Sequence, residues 1–473
     1  MHAEPTSPPP KRPPRRIAIV GAGFSGAVTA IQLLRRAPPE GLQVVLINES
    51  GRMARGLAYG THSSAHVLNV PAGNMSALAD DAEDFVRYCR WSDPRVEPGA
   101  FVSRRLYGAY LEALLSAAEL RDDGAATLER IVGRVIGLRT EGPGGRAELL
   151  LDQGSSVIAD HVVLAFGHFA PLDPLPPAAL AAAGARYIRD PWRPGALRGI
   201  GPADDVLLVG AGLTAVDVAL ALTQAGARSG RLVSISRRGL LPQSHRRSGA
   251  VPGALDGAAL VAEMGGSLRQ QLRVLRRAVR AALARGEDWR DLIGALRPHT
   301  PALWQRLSLA DRARFLRHVR PFWEVLRHRC APSAHDRFQQ LRDSGALTVQ
   351  AARIADVQAV DGALQVQLRP RGAAGTQGLR VQYIVNCTGP SADLQRCSSP
   401  LVRELLASGQ LCPDALGLGL AVDAQYAVLD RAGRPSPTLS YIGPLLKARD
   451  WEATAVPELR VHAQQLAQRL LVG

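Results

Sequence analysis

Short apolar runs alternate with amphipathic stretches along the chain. The run Arg16–Val20 is followed by a helical pattern over residues 27–34, and a second apolar run covers Leu42–Ile47. Apolar runs of this length are typical of buried strands, whereas a period near 3.6 residues indicates helices. Strands that alternate with helices in this way predict parallel β-α-β units. The beginning of the chain is therefore expected to form a parallel sheet covered by helices.

The same order of elements returns near the middle of the chain. Asp205–Val209 predicts a strand, Val216–Gln224 a helix and Leu232–Ile235 the next strand. Further strand signals span Ala346–Arg369, and the long segment before them has helical spacing. The repetition predicts an α/β protein with two domains of one design, of which the second carries a helical insertion.

A glycine-rich turn joins the first predicted strand to its helix. Gly21, Gly23 and Gly26 form the pattern Gly-x-Gly-x-x-Gly. The first glycine of this pattern allows a tight turn, the second lets the backbone approach a pyrophosphate, and the third lets helix and strand pack closely. Free N–H groups at the helix N-terminus attract phosphate. We therefore predict a dinucleotide site here, which Phe24 and Ser25 also border.

A second copy of this turn follows the strand Asp205–Val209. Gly210 and Gly212 begin the pattern Gly-x-Gly-x-x-Ala, with Leu213 and Thr214 inside it. Two such turns, each between a strand and a helix, predict two bound dinucleotides. The fold class is accordingly α/β, with two Rossmann-like, three-layer dinucleotide-binding domains. Each half also has an apolar strand that closes near a glycine, and we expect both glycines to border a cofactor: Gly167 and Gly389.

The residues that follow the second strand of each half predict which nucleotide binds where. Glu49 lies 28 positions after Gly21, and its carboxylate would accept hydrogen bonds from ribose hydroxyls and repel a 2′-phosphate. Arg237 and Arg238 occupy the corresponding place in the second half and would attract a 2′-phosphate. We expect FAD at the first site and NADPH at the second, with NADH as the alternative reductant. The competing interpretation is that both arginines are only solvated surface.

Composition and the repeated pattern predict the domain boundaries. The first residues are rich in proline and polar side chains, which is typical of disorder. The proline-rich stretch Pro171–Pro177 indicates a crossing between domains. The expected division is a disordered tail at 1–14, a first part of the FAD-binding domain at 15–175, an NAD(P)-binding domain at 200–380 with its helical insertion at about 250–345, and a return segment of the FAD-binding domain at 381–473.

The basic composition bears on the partners. The 473 residues carry a net charge of +15, and nearly all of the basic residues are arginine. The arginines are scattered, which favours a compositional bias and phosphate-bearing cofactors over a nucleic-acid partner. No apolar stretch approaches the roughly 20 residues that span a bilayer, so we expect no membrane partner.

The cysteines bear on redox chemistry and location. They form no Cys-x-x-Cys pair and no Cys/His cluster at zinc spacing, which argues against a dithiol centre and against a bound metal. Unpaired cysteines are typical of a reducing compartment, and we expect a cytoplasmic protein. The five cysteines are Cys89, Cys330, Cys387, Cys397 and Cys412.

From about Arg16 to Gly473, the chain resembles flavoproteins with two dinucleotide-binding domains. It is most similar to flavin-dependent monooxygenases and N-hydroxylases, and to a bacterial group of FAD/NAD(P)-binding proteins. The two glycine-rich turns identify the superfamily but not a reaction. The closer likeness rests on five stretches: Gly56–Thr61, His66–Met75, Ser236–His245, Pro321–Pro332 and Ile442–Arg460.

Three residues are candidates for the catalytic centre. Asn69-Val70-Pro71 resembles the Asn-x-Pro of flavin monooxygenases, which implies that Asn69 lies beside the flavin and nicotinamide. A loop asparagine that bonds its own backbone is the equally weighted alternative. His328 and Arg329, in the helical insertion, would bind a substrate carboxylate if they face the flavin. A basic helix face in solvent is the alternative for these two.

The chain also departs from its relatives. The redox cysteine pair of the disulfide reductases is absent, and so is their Gly-Asp motif before the last helix. Gly443-Pro444 stands at that place, and the helix N-terminus near Thr454 is expected to face the flavin instead. The pattern Phe-x-Gly-x-x-x-His of the flavin-containing monooxygenases is also absent, which disfavours sulfoxidation and Baeyer–Villiger chemistry.

The expected reaction follows from the cofactors and the resemblance. NADPH would reduce FAD, and the reduced flavin would react with molecular oxygen to form a C4a-(hydro)peroxyflavin that oxidises the nitrogen of a small amine, amino acid or hydroxylamine. Two alternatives stay open: a reductase or dehydrogenase that passes electrons to a quinone or carrier, and a non-catalytic redox-sensing flavoprotein. A homodimer is compatible with all three.

Overall fold

The computed structural model describes residues 13–61, 63, 65–121, 125–142, 145–224, 226, 228–247 and 255–472. The predicted tail at 1–14 lies outside these ranges apart from its last two residues. The strands are β1 Arg15–Val20, β2 Leu42–Asn48, β3 Ala126–Val132, β4 Val135–Thr140, β5 Ala147–Leu151, β6 Ser156–Ala159, β7 His161–Leu164, β8 Tyr187–Ile188, β9 Val206–Val209, β10 Leu232–Ser236, β11 Leu347–Val360, β12 Ala363–Pro370, β13 Gln377–Val381, β14 Tyr383–Asn386, β15 Ala427–Leu429 and β16 Pro435–Tyr441.

The helices divide between the two sheets and the insertion. They are α1 Phe24–Arg35, α2 Gly56–Tyr59, α3 Asp84–Ser92, α4 Arg104–Glu119, α5 Pro177–Ala183, α6 Leu213–Leu222, α7 Gly257–Ala262, α8 Leu268–Ala284, α9 Trp289–Leu296, α10 Thr300–Arg306, α11 Leu309–Arg314, α12 Arg320–Arg327, α13 Pro332–Asp343, α14 Pro400–Ala407 and α15 Val456–Val472.

The first sheet has the strand order β15-β16-β7-β1-β2-β3. Strands β16, β7, β1, β2 and β3 run parallel, and β15 adds an antiparallel edge. Helix α1 is buried from Phe24 to Leu34 because α4 and α15 cover it. The last strand and the last helix of the described chain are β16 and α15, and β16 lies beside β7. The C-terminal segment therefore completes the sheet that the N-terminal segment begins.

The second sheet has the order β13-β12-β11-β10-β9-β14-β8. Its centre, β11-β10-β9-β14-β8, is parallel. The long strand β11 pairs in parallel with β10 through Ala351 and then antiparallel with β12 from Ala352. It thereby joins the parallel core to the antiparallel hairpin that the strand signals up to Arg369 predicted.

The apolar run at residues 131–138 does not form a single strand. Residues 131–138 split at Gly133 into the end of β3 and the start of β4. Strand β3 pairs with β2 in the main sheet, whereas β4 begins the separate sheet β4-β5-β6. The Gly133 N–H donates to the carbonyl of Asn48, which ends the pairing with β2. An apolar run predicts that a segment is buried, but it does not predict to which sheet the segment belongs.

The chain crosses between the two sheets along two adjacent segments. Phe169 and Ser391 exchange backbone hydrogen bonds of 2.9 and 3.0 Å between the outgoing and returning segments. Strand β14 still pairs with β9, so the return to the first sheet follows Asn386, although the expected division assigned residues from 381 onward to the return segment. Helices α7 to α13 form the insertion between β10 and β11.

Candidate active site

The first glycine-rich turn leaves no room for a side chain at two of its three glycines, Gly21 and Gly26. Gly21 has a φ of 105°, in the left-handed region, and a Cβ there would lie 2.8 Å from the carbonyl oxygen of Ala165. A Cβ on Gly26 would lie 1.9 Å from the carbonyl oxygen of Gly21. Gly23 caps α1 without a side-chain hydrogen bond, so the first N–H groups of the helix stay available. This geometry fits a pyrophosphate at the start of α1.

A cavity of about 610 Å³ opens above this turn. Its wall combines the carboxyl ends of β1, β2 and β7 with the start of α15, where open α/β sheets bind their ligands. The volume lies in the range of cofactor sites. We call it the first cavity. Nine predicted site residues line it: Gly21, Gly23, Phe24, Ser25, Glu49, Gly167, Leu213, Thr214 and Thr454.

A second cavity of about 670 Å³ lies at the corresponding edge of the second sheet. Gly210 has a φ of 125°, and a Cβ there would lie 2.3 Å from the carbonyl oxygen of Cys387. The second turn therefore has the same steric requirement as the first. Eight predicted site residues line the second cavity: Gly210, Gly212, Leu213, Thr214, Arg237, Arg238, His328 and Gly389.

The two cavities meet at the start of α6. Leu213 and Thr214 line both of them. On the opposite side, Gly389 lines the second cavity and the next residue, Pro390, lines the first. Ligands that fill the two cavities would therefore approach each other at these four residues.

The basic end of β10 faces the second cavity. Among the residues that the structure describes, no carboxylate forms an ion pair with Arg237 or Arg238. The Arg238 guanidinium lies 5.2 Å from the ring centre of Phe322. Arg353, on β11, adds a third guanidinium to this wall, which the sequence patterns did not identify. The arrangement suits a phosphate group.

Glu49 lies at the rim of the first cavity. Its side chain is 60% exposed and forms an ion pair with Arg134, which lines the same cavity. The carboxylate thus lies beyond the end of β2, as the sequence predicted. It is paired with Arg134, however, and no sequence motif indicated that arginine.

Four predicted residues lie away from both cavity linings in the described part of the chain. Gly26 packs inside the first turn, and Gly443 precedes Pro444, which lines the first cavity. The carbonyl of Asn69 bonds Nε2 of His245 at 2.9 Å. Arg329 donates from Nε to the carbonyl of Leu326 at 2.9 Å. His328 and Arg329 therefore do not face one cavity together.

The sequence patterns also missed a pair that joins the two domains. Nη2 of Arg104, on α4, donates to Oδ2 of Asp217, on α6, at 2.8 Å. The Arg104 guanidinium also lies 5.4 Å from the ring centre of Trp192. All three residues line the first cavity. No local signal marks such a pair, because its members are 113 positions apart.

Two histidines line the cavities, one in each. His168 lines the first, where burial and then the neighbouring Lys447 lower its pKa to about 4. His328 lines the second, and burial lowers its pKa as well. Both imidazoles are therefore neutral near pH 7, and the lowered pKa makes each a weaker base than a free imidazole.

The cysteines are unpaired and mostly buried. Burial raises the pKa of the Cys330 thiol to about 12 and that of the Cys89 thiol to about 11. Burial also raises the pKa of the Cys387 thiol. Reactive cysteines have the opposite shift, toward a stable thiolate.

Residues 18–169 match the model of a family described as FAD-NAD(P)-binding. The match contains the first glycine-rich turn and the strands around the first cavity, so this segment is an FAD-NAD(P)-binding domain. The sterically required glycines of the turn and the start of α1 without a side-chain cap suit this ligand class. No curated protein sequence matches the chain significantly.

Several solved structures share the whole fold. L-lysine 6-monooxygenase from Pseudomonas syringae matches with a TM-score of 0.66 and 17% identity over 96% of this chain and 98% of that one. Ornithine N-hydroxylase from Kutzneria sp. 744, solved with reduced FAD, NADP⁺ and L-ornithine, matches with a TM-score of 0.62 and 14% identity over 97% and 99%.

A reductase is also similar. Bacillithiol disulfide reductase from Staphylococcus aureus matches with a TM-score of 0.54 and 12% identity over 97% of this chain and 99% of that one. These similarities establish an α/β flavoprotein fold with two dinucleotide-binding domains. Across the described ranges, no helix is both long enough and apolar enough to cross a membrane.

Proposed function

We propose that the protein is an FAD- and NADPH-dependent monooxygenase that oxidises the nitrogen of a small amine, amino acid or hydroxylamine. One observation carries the proposal: two dinucleotide-type cavities, each opened by a glycine-rich turn, meet at Leu213 and Thr214. Two cofactors whose reactive rings must exchange a hydride need such a meeting point. The fold shared with the lysine and ornithine hydroxylases supports the nitrogen-oxidising form of the reaction.

The first cavity would hold FAD and the second NADPH. The start of α1 would bind the flavin pyrophosphate, and Glu49 would accept a hydrogen bond from the ribose. Arg237 and Arg238 would bind the 2′-phosphate of NADPH. When bound, the two cofactors supply hydride transfer and oxygen activation, which protein side chains do not.

Other side chains around the cavities would hold the two domains together and contact the substrate amine. Arg104 and Asp217 hold the domains together beside the meeting point. A primary amine binds as an ammonium ion and becomes nucleophilic only after it loses a proton. Neutral His168, in the first cavity, could accept a hydrogen bond from the ammonium group, but its pKa of about 4 makes it a weak base for that proton. Asn69, His328 and Arg329 remain proposed contributors to substrate placement.

A disulfide reductase is the second candidate, since the bacillithiol disulfide reductase has the same fold. The cysteines weigh against it, because they are unpaired and burial raises the pKa of the Cys330 and Cys387 thiols. Electron transfer to a quinone or carrier needs no cysteine. Among the reductase functions, it is therefore a better candidate than disulfide reduction.

The test is amine-dependent turnover by the purified flavoprotein. NADPH oxidation and hydroxylamine product would be measured with lysine, ornithine, cadaverine and hydroxylamine as substrates. The proposal expects that at least one amine accelerates NADPH oxidation and is converted to its N-oxidised product. NADPH oxidation that responds to a quinone but to none of the amines would overturn it in favour of the reductase. The variant Gly21→Ala, with its blocked first turn, is the matched negative control.

A further inference from the structure

Glu452 has an unusual backbone conformation. Its φ is 81°, in the left-handed region that glycine adopts readily and other residues rarely. Its carbonyl accepts a hydrogen bond of 2.6 Å from the N–H of Thr454, so the turn at Glu452 leads directly to Thr454, which lines the first cavity. Strained residues of this kind persist where the surrounding structure holds them, and they are common at functional sites.

The Glu452 side chain is almost completely buried, with 3% of its surface exposed. Both of its carboxylate oxygens contact helix α12 of the insertion. Oε1 accepts a hydrogen bond of 2.7 Å from the indole Nε1 of Trp323, and Oε2 lies 2.9 Å from Nε of Arg327. The Arg327 side chain is 9% exposed, so solvent screens this ion pair poorly. Removing one member would leave the other charge buried and uncompensated.

Helix α12 faces the second cavity with its other side. Pro321 and Val325 line that cavity, and so does His328 just after the helix. A spacing of three or four residues places these positions on one face of the helix. Trp323 and Arg327 are also four positions apart, and they extend from the opposite surface of α12 to the buried carboxylate.

A second carboxylate joins the insertion to the same segment. Glu458, in the first turn of α15, accepts a hydrogen bond of 2.8 Å from Nη2 of Arg297. Its Oε1 also lies 3.8 Å from Nη2 of Arg327. Val456 and Leu459, on either side of Glu458, line the first cavity. The insertion is therefore anchored to the wall of the first cavity while it forms part of the wall of the second.

We propose that Glu452 is a positioning residue that aligns the nicotinamide with the flavin. Through Trp323 and Arg327 it holds α12 against the segment that brings Thr454 to the first cavity. The inference rests on the proposed function only for the assignment of FAD and NADPH to the two cavities. Reacting atoms must lie roughly 3–3.5 Å apart, so a displacement of one wall by about 1 Å slows transfer between the two rings by about a hundred-fold.

The step that Glu452 aligns is a hydride transfer. The C4–H bond of the nicotinamide breaks, a bond between that hydrogen and N5 of the flavin forms, and both electrons of the broken bond move with the hydrogen. NADPH is thereby oxidised to NADP⁺, and FAD is reduced. In the described part of the chain, Glu452 belongs to neither cavity lining. It therefore acts on this step through the walls and not by touching the cofactors.

The test is anaerobic stopped-flow reduction of the purified flavoprotein by NADPH, which needs no amine substrate. In Glu452→Gln the amide oxygen still accepts from Trp323, but the charge that pairs with Arg327 is gone. We expect bound FAD to be retained, the Kd for NADP⁺ to change less than about threefold, and the limiting reduction rate to fall about ten- to a hundred-fold. The charge-transfer absorbance of reduced flavin with NADP⁺ requires stacked rings and no turnover, and it is expected to weaken as well.

A double variant separates positioning from stability. Arg327→Met combined with Glu452→Leu leaves neither charge of the pair in the interior, so its urea midpoint should exceed that of Glu452→Gln. Its reduction rate is nonetheless expected to stay low, because α12 has lost its bond to the carboxylate. Asp291→Asn is the matched control, since this 8% exposed carboxylate pairs with Arg246 in the second domain. We expect its reduction rate to stay within about twofold of the wild type.

An unchanged reduction rate in Glu452→Gln would overturn the inference, and so would recovery of the rate together with stability in the double variant. If Glu452→Gln does not fold, the double variant is measured in its place. A wild-type protein that binds FAD but is not reduced by NADPH would overturn the inference together with the cofactor assignment. Flavin reduction is measured before any amine is added, so these outcomes are independent of whether an amine is oxidised.

Discussion

Arg104 and Asp217 form a hydrogen-bonded ion pair of 2.8 Å between α4 of the first domain and α6 of the second. Their side chains are 14% and 12% exposed, so the pair is shielded from solvent screening. Arg104 is also fixed from its own side, since its Nε donates to the carbonyl of Val67 at 3.1 Å. The pair stands beside Leu213 and Thr214, where the cavities meet. It is one of the contacts that join the two domains beside these cavities.

Removing one member of this pair is expected to destabilise the protein strongly. Arg104→Met leaves the Asp217 carboxylate buried without its partner, which costs about 3–5 kcal/mol of unfolding free energy. Arg104→Met combined with Asp217→Leu should recover much of that loss, because neither charge remains. Urea unfolding of the single and double variants measures the coupling. Additive losses in the double variant would contradict a direct interaction.

The first glycine-rich turn should not tolerate a single methyl group. In Gly21→Ala the new Cβ meets the Ala165 carbonyl oxygen at 2.8 Å, and an alanine is forced into a left-handed φ of 105°. The turn must shift, and we expect loss of bound flavin, visible as a colourless purified protein. Gly99→Ala is the control, because no atom lies within 4 Å of its Cβ position. Retained flavin in Gly21→Ala would contradict the assignment of the first cavity.

The arginines at the end of β10 should select NADPH over NADH. Loss of one charge-assisted hydrogen bond costs about 1.5–3 kcal/mol, which corresponds to a roughly ten- to hundred-fold higher KM for NADPH. The KM for NADH should change little in Arg237→Ala and Arg238→Ala. Arg369→Ala, on the exposed part of β12, is the comparison variant. Equal changes for both nucleotides would instead indicate a general structural effect.

Because of one buried histidine, His161, we expect the free energy of unfolding to decrease at acid pH. His161 contacts Ser440 Oγ at 3.0 Å between β7 and β16, and burial lowers its pKa from 6.5 to about 3. Between these two pKa values, His161 is therefore protonated in the unfolded chain and neutral in the folded chain. This contribution to stability is present above pH 6.5 and is lost as the pH falls toward 3. The urea concentration at the unfolding midpoint is expected to fall between pH 7 and pH 5. His161→Gln should make this fall smaller, whereas His318→Gln, at an exposed position, should not change it.

The sequence allowed much of the two nucleotide sites to be predicted, because their signals are local. A strand, a glycine turn and a helix lie within about twenty consecutive positions, and sterics dictate glycine at Gly21 and Gly210. Predicted residues accordingly line both cavities. Asn69 was assigned by resemblance and Arg329 from the basic side chains of the insertion. The structure places both outside the two cavity linings in the part it describes.

Other features depended on contacts that no local pattern contains. The split of residues 131–138 into β3 and β4 follows from which strand lies beside each half. The pairing of Glu49 with Arg134 joins positions 85 apart. Periodicity predicts that a side chain is buried or exposed, but it does not predict the partner that the side chain meets.

From the residue order alone one can predict two glycine-rich turns suited to phosphate, an acidic end on the first half and a basic end on the second. These follow from backbone sterics and charge within single β-α-β units. The meeting of the two cavities at Leu213 and Thr214, and the contact of Arg104 with Asp217, are visible only in the folded protein. Those relationships arise when distant segments pack together, and the free energy that selects them is spread over the whole interface between the domains.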